Sequence, residues 1–120
     1  MSKKILFVDD DIDFLEVNQL MLMDEGYDVI PAKNGTEAVE KYKEVNPDIV
    51  FLDIKMPGID GYETFFRLIK IDPDARIIFT SSYAINDEKF KHAKTSSLKG
   101  LLNKPFEFED MERIISKYAK

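Results

Sequence analysis

The sequence contains no cysteine. Disulfides and thiolate metal sites are therefore excluded, and nothing points to an oxidising compartment. No basic stripe is visible: 17 Lys and Arg stand against 23 Asp and Glu, a net charge of −6. Nucleic-acid binding needs a positive footprint that displaces counterions from phosphate, so direct contact with DNA or RNA is not expected. No apolar run approaches membrane-spanning length, and Met1-Ser2-Lys3-Lys4 leads into a run too short for a secretory leader. The chain reads as a cytoplasmic protein with no membrane partner. Histidine occurs once, at His92 on a polar segment, and reads as a surface residue. Repeats, low-complexity tracts and linkers are also missing.

What is present suits one ordinary core. The chain has 120 residues, 44% hydrophobic and 33% charged. That length buries roughly two-thirds of its unfolded surface and leaves little room for a second domain, so residues 1–120 are expected to form one unit.

Two periods alternate along the chain. Short apolar runs at Ile5 to Val8, Ile49 to Leu52 and Ile77 to Phe79 lack period-two alternation, as strands covered on both faces do. Val29-Ile30 and Leu101-Leu102 supply two weaker strands. Helical stripes lie between them. Phe14, Val17 and Met21 mark a first helix stopped by Gly26. Ala38, Tyr42 and Val45 mark a second, with Thr36 as its cap. Tyr62, Phe65, Phe66 and Ile69 mark a third, ended by Pro73. Asn86 to Lys94, with Phe90 and Ala93 buried, make a fourth. Phe108, Met111, Ile115 and Tyr118 make a fifth. Five β-α repeats predict an α/β fold: a parallel, doubly wound sheet with right-handed crossovers and helices on both faces.

Ligands of such sheets bind beyond the carboxyl ends of the strands. Those ends carry Asp9-Asp10-Asp11, Asp53, Thr80-Ser81-Ser82 and Lys104-Pro105. Converging carboxylates either take up protons or share a cation. With oxygen donors alone on offer, Mg²⁺ or Mn²⁺ is favoured over zinc. Such a site suits phosphoryl transfer, which is catalysed by positioning and by cancelling charge on oxygen. The metal takes one phosphoryl oxygen, Lys104 a second and the Thr80 hydroxyl a third. Asp53 stands alone on the middle strand and reads as the nucleophile; the paired acids read as the metal anchor. Each group alone has a bland reading: a solvated turn for Asp9 to Asp11, a loop hydroxyl for Thr80, a surface lysine for Lys104.

Taken together, Phe7-Val8-Asp9-Asp10-Asp11, Asp48-Ile49-Val50-Phe51-Leu52-Asp53-Ile54-Lys55-Met56-Pro57-Gly58-Ile59-Asp60-Gly61, Ile78-Phe79-Thr80 and Lys104-Pro105-Phe106 resemble the receiver domain of bacterial two-component response regulators, over essentially the whole chain. The resemblance implies a flavodoxin-like strand order 2-1-3-4-5 with five helices. It implies a stand-alone phosphoacceptor of chemotaxis or sporulation-relay type. Such a protein assists its own phosphorylation and dephosphorylation and is not a turnover enzyme. Asp53 matches the phosphoacceptor. Asp9, Asp10, Asp53 and the backbone carbonyl of Lys55 match the Mg²⁺ ligands, and Thr80 and Lys104 match the groups that hold the phosphoryl oxygens. A cis Lys104-Pro105 peptide is implied as well. The implied partners are a sensor histidine kinase or histidine phosphotransfer protein, and a downstream protein docking on the helix 4, strand 5, helix 5 face.

Two positions depart from the family pattern. Leu101 replaces the aromatic residue that turns inward on activation. Ser96-Ser97-Leu98 replaces the small-Gly-small segment, which makes a left-handed helix stop less favourable. Tyr83 is a nearby aromatic, read as a surface tyrosine. Two rivals follow: a haloacid-dehalogenase-like phosphatase using Asp9-x-Asp11, and a phosphorylation-independent binding module on the same scaffold.

Overall fold

A computed structural model of the chain describes residues 2–82 and 87–120. Tyr83 and Asn86 lie outside the described residues. The elements run β1 (Lys4–Val8), α1 (Ile12–Asp24), β2 (Asp28–Ala32), α2 (Gly35–Val45), β3 (Ile49–Asp53), α3 (Gly61–Ile71), β4 (Ile77–Ser81), α4 (Asp87–Thr95), β5 (Gly100–Asn103) and α5 (Phe108–Tyr118). The five strands form one parallel sheet in the order β2-β1-β3-β4-β5, as the resemblance implied.

The continuous apolar runs are explained by what covers them. Successive side chains of a strand point to opposite faces. Ile5, Phe7, Ile49, Phe51 and Ile78 pack with Leu15 and Leu22 of α1 and with Met111 and Ile115 of α5. Leu6, Val8, Val50, Leu52, Ile77 and Phe79 pack with Ala38 and Tyr42 of α2, Phe65 and Leu68 of α3 and Ala93 of α4. Burying each of these large side chains contributes about 1.5–3 kcal/mol, so polar alternation in β1, β3 or β4 would strip one layer of its floor.

Two local readings of the sequence need correction. The buried stripe of α1 is Leu15, Asn18 and Leu22, with Phe14 at its edge; Val17 and Met21 are exposed. α1 also carries Ile12, Leu20 and Met23 on its outer side. A helix apolar nearly all round gives no clear phase, so spacing alone chose the wrong face. The cap of α2 is Asn34, whose side chain accepts from the Glu37 N–H at 2.7 Å, and Thr36 lies inside the first turn. Asn caps as well as Thr does.

Helix ends otherwise follow their residues. Gly26 takes φ +94° just after α1, as a stop requires. α3 ends at Ile71, with Asp72 as its cap before Pro73. Ser97 adopts φ +82° after α4, so the left-handed stop forms there without glycine. Among the described residues, no helix is long and apolar enough to cross a membrane.

Candidate functional site

Parallel register brings four strand ends to one rim. Val8 pairs with Leu52, Asp53 with Thr80, and Ser81 with Asn103, so the residues that follow β1, β3, β4 and β5 stand side by side. The cleft there has a volume of about 530 Å³ and is lined by Asp9, Asp10, Asp53, Lys55, Ser82 and Lys104, among others.

Asp9 is fully buried and both its oxygens are used. One accepts from the Asp11 N–H at 2.9 Å, and the other accepts from Lys104 Nζ at 2.6 Å. Lys104 Nζ also stands 3.5 Å from Asp53 Oδ1. The Lys104-Pro105 peptide is cis, and Phe106 beyond it packs edge-on against Phe14 at 5.7 Å. The Lys104 ammonium rests over the Phe14 ring, 4.5 Å from its centre. The sequence reading missed this aromatic support; a phenylalanine opening α1 close to the acids was the available signal. Cation–ring contact steadies an ammonium already aimed at two carboxylates.

Asp53 is 6% exposed. Burial pushes its carboxyl up to about 7; the nearby Asp9 charge adds to the rise, Lys104 opposes it, and Asp10 adds a little more. One ammonium does not offset three crowded acids. Oxygen atoms of Asp9, Asp10 and Asp53 lie within 4.8 Å of one another. Hard oxygen donors at that spacing fit a small divalent cation, with room for waters at the exposed Asp10. Lys55 is exposed on the wall of the same cleft.

Thr80 is the in-register neighbour of Asp53 on β4 and is 1% exposed. Its Oγ1 is buried and has no hydrogen-bond partner among the described residues. A buried hydroxyl left unpaired is costly, by about 1–3 kcal/mol, and is a donor ready for an acceptor oxygen.

Asp11 has a different task. It caps α1, its Oδ1 accepting from the Phe14 N–H at 3.2 Å. Asp9 is tied up by Lys104, and Asp11 by the helix.

Comparison with known proteins accords with this geometry. A family profile described as "Response regulator receiver domain" matches residues 5–116. The chain belongs to the response regulator receiver family. It is 36% identical to the chemotaxis protein CheY of Thermotoga maritima over 121 residues, covering all of both chains. It is 32% identical to sporulation initiation phosphotransferase F of Bacillus subtilis, over 98% of this chain and 94% of that protein. Among solved structures it resembles the response regulator TrrA of Thermotoga maritima, described in complex with Mg²⁺-BeF, at TM-score 0.85 and 34% identity, over 97% and 98% of the two chains. A CheY-like receiver from Methanospirillum hungatei matches at TM-score 0.91 and 27% identity, over 98% and 93%. This receiver is thus a phosphoacceptor signalling domain of two-component or phosphorelay type.

The receiver's departure at Leu101 has a structural counterpart. Leu101 pairs with Phe79 across β4 and β5 and is half-buried against the inner core. A leucine at this position offers no ring to rotate.

Proposed function

We propose that this receiver takes a phosphoryl group on Asp53 from a phosphohistidine of a sensor histidine kinase or a histidine phosphotransfer protein. A carboxylate oxygen of Asp53 forms the new O–P bond while the donor's N–P bond breaks, its electron pair returning to the imidazole. Lys104 is placed to neutralise one phosphoryl oxygen and the unpaired Thr80 hydroxyl to donate to another. Asp9 orients Lys104 through their 2.6 Å contact. Mg²⁺, or Mn²⁺ with the same donor set, would be held by Asp9, Asp10, Asp53 and the Lys55 carbonyl and would supply positive charge against the incoming group. The protein assists its own labelling and hydrolysis and remains a signal carrier. A downstream protein would dock on the face made by α4, β5 and α5.

One observation carries this reading: an Asp53 carboxyl crowded by two acids and one ammonium in a single cleft, beside a buried hydroxyl without a partner among the described residues. The test is intact-mass spectrometry after treatment with acetyl phosphate and Mg²⁺. Wild type should gain one phosphoryl group, and Asp53→Asn should gain none. Undiminished labelling of Asp53→Asn refutes the assignment.

A further inference from the structure

The proposed metal donors come from two stretches of chain. Asp9 and Asp10 follow β1, whereas Asp53 ends β3 and Lys55 lies in the connection of residues 54–60 that leads into α3. That connection is closed at its base. The Gly61 N–H donates to the Ile54 carbonyl at 2.6 Å, and the Ile54 N–H donates to the Thr80 carbonyl at 3.2 Å. Ile54 and Met56 are buried in the inner core and hold its first half. Its second half borders a cleft of about 770 Å³ that lies between this loop and the starts of α1 and α2. Asp10, Lys33, Gly35, Pro57, Gly58 and Ile59 are among its lining residues.

The loop meets α2 at Gly35, the buried residue that opens the helix. A Cβ there would stand 2.5 Å from Ile59 Cγ1 and closer still to Thr64 Oγ1. Only a residue without a side chain leaves room for both. Thr64 cannot yield easily: it is fully buried, and its hydroxyl donates to the Asp60 carbonyl at 2.8 Å. Ile59 and the first turn of α3 are therefore seated directly on the backbone of α2. The start of α2 is itself tied to the acids, because the Ala32 carbonyl at the end of β2 accepts from the Asp9 N–H at 3.0 Å. A chain of contacts thus runs from Asp9 through Ala32 and Gly35 to Ile59, and joins the acid pair to the loop that carries Lys55.

We propose that Gly35 and Ile59 are positioning residues for the divalent cation: their contact sets the Lys55 carbonyl against Asp10 and so tunes the site to a small ion. The inference rests on the metal reading above and adds two residues that touch neither the ion nor the phosphoryl group. Asp9 and Asp53 are buried and packed, so the loop carbonyl is the donor that most needs outside support. Mg²⁺ demands near-ideal octahedral geometry at about 2.0–2.1 Å, whereas Ca²⁺ accepts longer and less regular contacts. Slack in the loop should penalise the smaller ion more.

The test is titration of Ile59→Ala with Mg²⁺ and, separately, Ca²⁺, followed by amide NMR. Mg²⁺ affinity should fall by about tenfold, the usual effect of removing a support behind a metal ligand, and Ca²⁺ affinity by clearly less. Ile59→Val, which keeps a branched side chain over Gly35, should lose less than Ile59→Ala. Gly35→Ala, which displaces Ile59 from the other side, should weaken Mg²⁺ at least as much. In acetyl phosphate labelling of Ile59→Ala, the half-saturating Mg²⁺ concentration should rise by the same factor, while the rate at saturation stays within about twofold of wild type. Ile114→Ala removes the same side chain from a half-buried site on α5, and should lower stability in urea without changing either affinity. Circular dichroism melting confirms that each variant is folded.

Wild-type Mg²⁺ affinity in Ile59→Ala would overturn the proposal, as would equal losses in Ile59→Ala and Ile114→Ala, or equal losses for the two ions. Wild-type Mg²⁺ affinity in a folded Gly35→Ala would overturn the part given to Gly35. Wild type is titrated first. If it shows no Mg²⁺ shifts around Asp10 and Lys55, the metal reading itself falls and takes this inference with it; if wild type binds and Ile59→Ala binds equally, the positioning alone falls.

Discussion

Lys104 lies closer to Asp9 than to Asp53, with Nζ 2.6 Å from one carboxylate and 3.5 Å from the other. The ammonium is thus held by one buried acid while it faces a second. Transfer of a phosphoryl group to Asp53 would place new negative oxygens beside it.

Replacing Lys104 by methionine should therefore have two effects. The metal-free Asp53 carboxyl should titrate above its value of about 7, because the one charge that holds it down is gone. Labelling by acetyl phosphate should slow by roughly a hundredfold, the usual loss when a charge-stabilising donor is removed. Carbon-detected NMR of the carboxyl follows the titration, and timed intact-mass measurement follows the labelling. A midpoint that falls would show that Lys104 does not govern this group.

Stability should depend on pH through Asp53. Its carboxyl ionises near 3.8 in the ordinary state and near 7 in the fold. The folded protein therefore holds an extra proton between those values. The stability from this group is complete below about pH 4 and is lost as pH rises through 7. Asp53→Asn is exempt from that loss. In EDTA at pH 8 the variant should be more stable than wild type by roughly 1–4 kcal/mol, with the gap closing toward pH 4. Urea unfolding across this range measures it, and a gap independent of pH would contradict the cause.

Thr80→Val should separate stability from chemistry. It keeps the volume and removes a buried hydroxyl that has no partner among the described residues. Stability should rise by about 1 kcal/mol, while labelling slows by roughly tenfold or more. A variant that labels normally would mean that the hydroxyl contributes nothing to holding the phosphoryl group.

Gly61→Ala tests the packing behind the site. A Cβ there would meet the Asp53 carbonyl oxygen and the Ile54 Cα, each at 2.5 Å, and backbone cannot move aside easily. The substitution should destabilise by about 1–3 kcal/mol in urea and should also slow Asp53 labelling. Unchanged stability would show that the start of α3 can slide away from β3.

Much of this was legible in the residues. β1, β3 and β4 announced themselves because strands covered on both faces need apolar side chains at every position. Asp9, Asp53 and Thr80 each directly follow such a run, Lys104 comes two residues after the weaker Leu101-Leu102 strand, and parallel strands gather these ends. The order of the strands came from family resemblance, since composition and period say nothing of which strand lies next to which. What stayed hidden depended on the third dimension. The phase of α1 could not be read from a helix rich in Ile, Val, Leu and Met on all sides. Asn34 and Thr36 are both capping types, and only the backbone decides between them. His92 is exposed, as expected, and its ring contact with Phe66, 26 residues away on another helix, had no signal in the sequence.

β3 is buried along its whole length, with a helical layer on each side and a strand on each edge. Asp53 is its last residue, so the carboxylate is mounted on a strand packed on every side. On the proposed reading, a donor would bring its phosphorus to an oxygen whose backbone is held on all sides. The response to that event has to be taken up by the connections beyond the strand tips and by the helices they lead into. The sheet keeps the geometry of the reaction, and its surroundings carry the message.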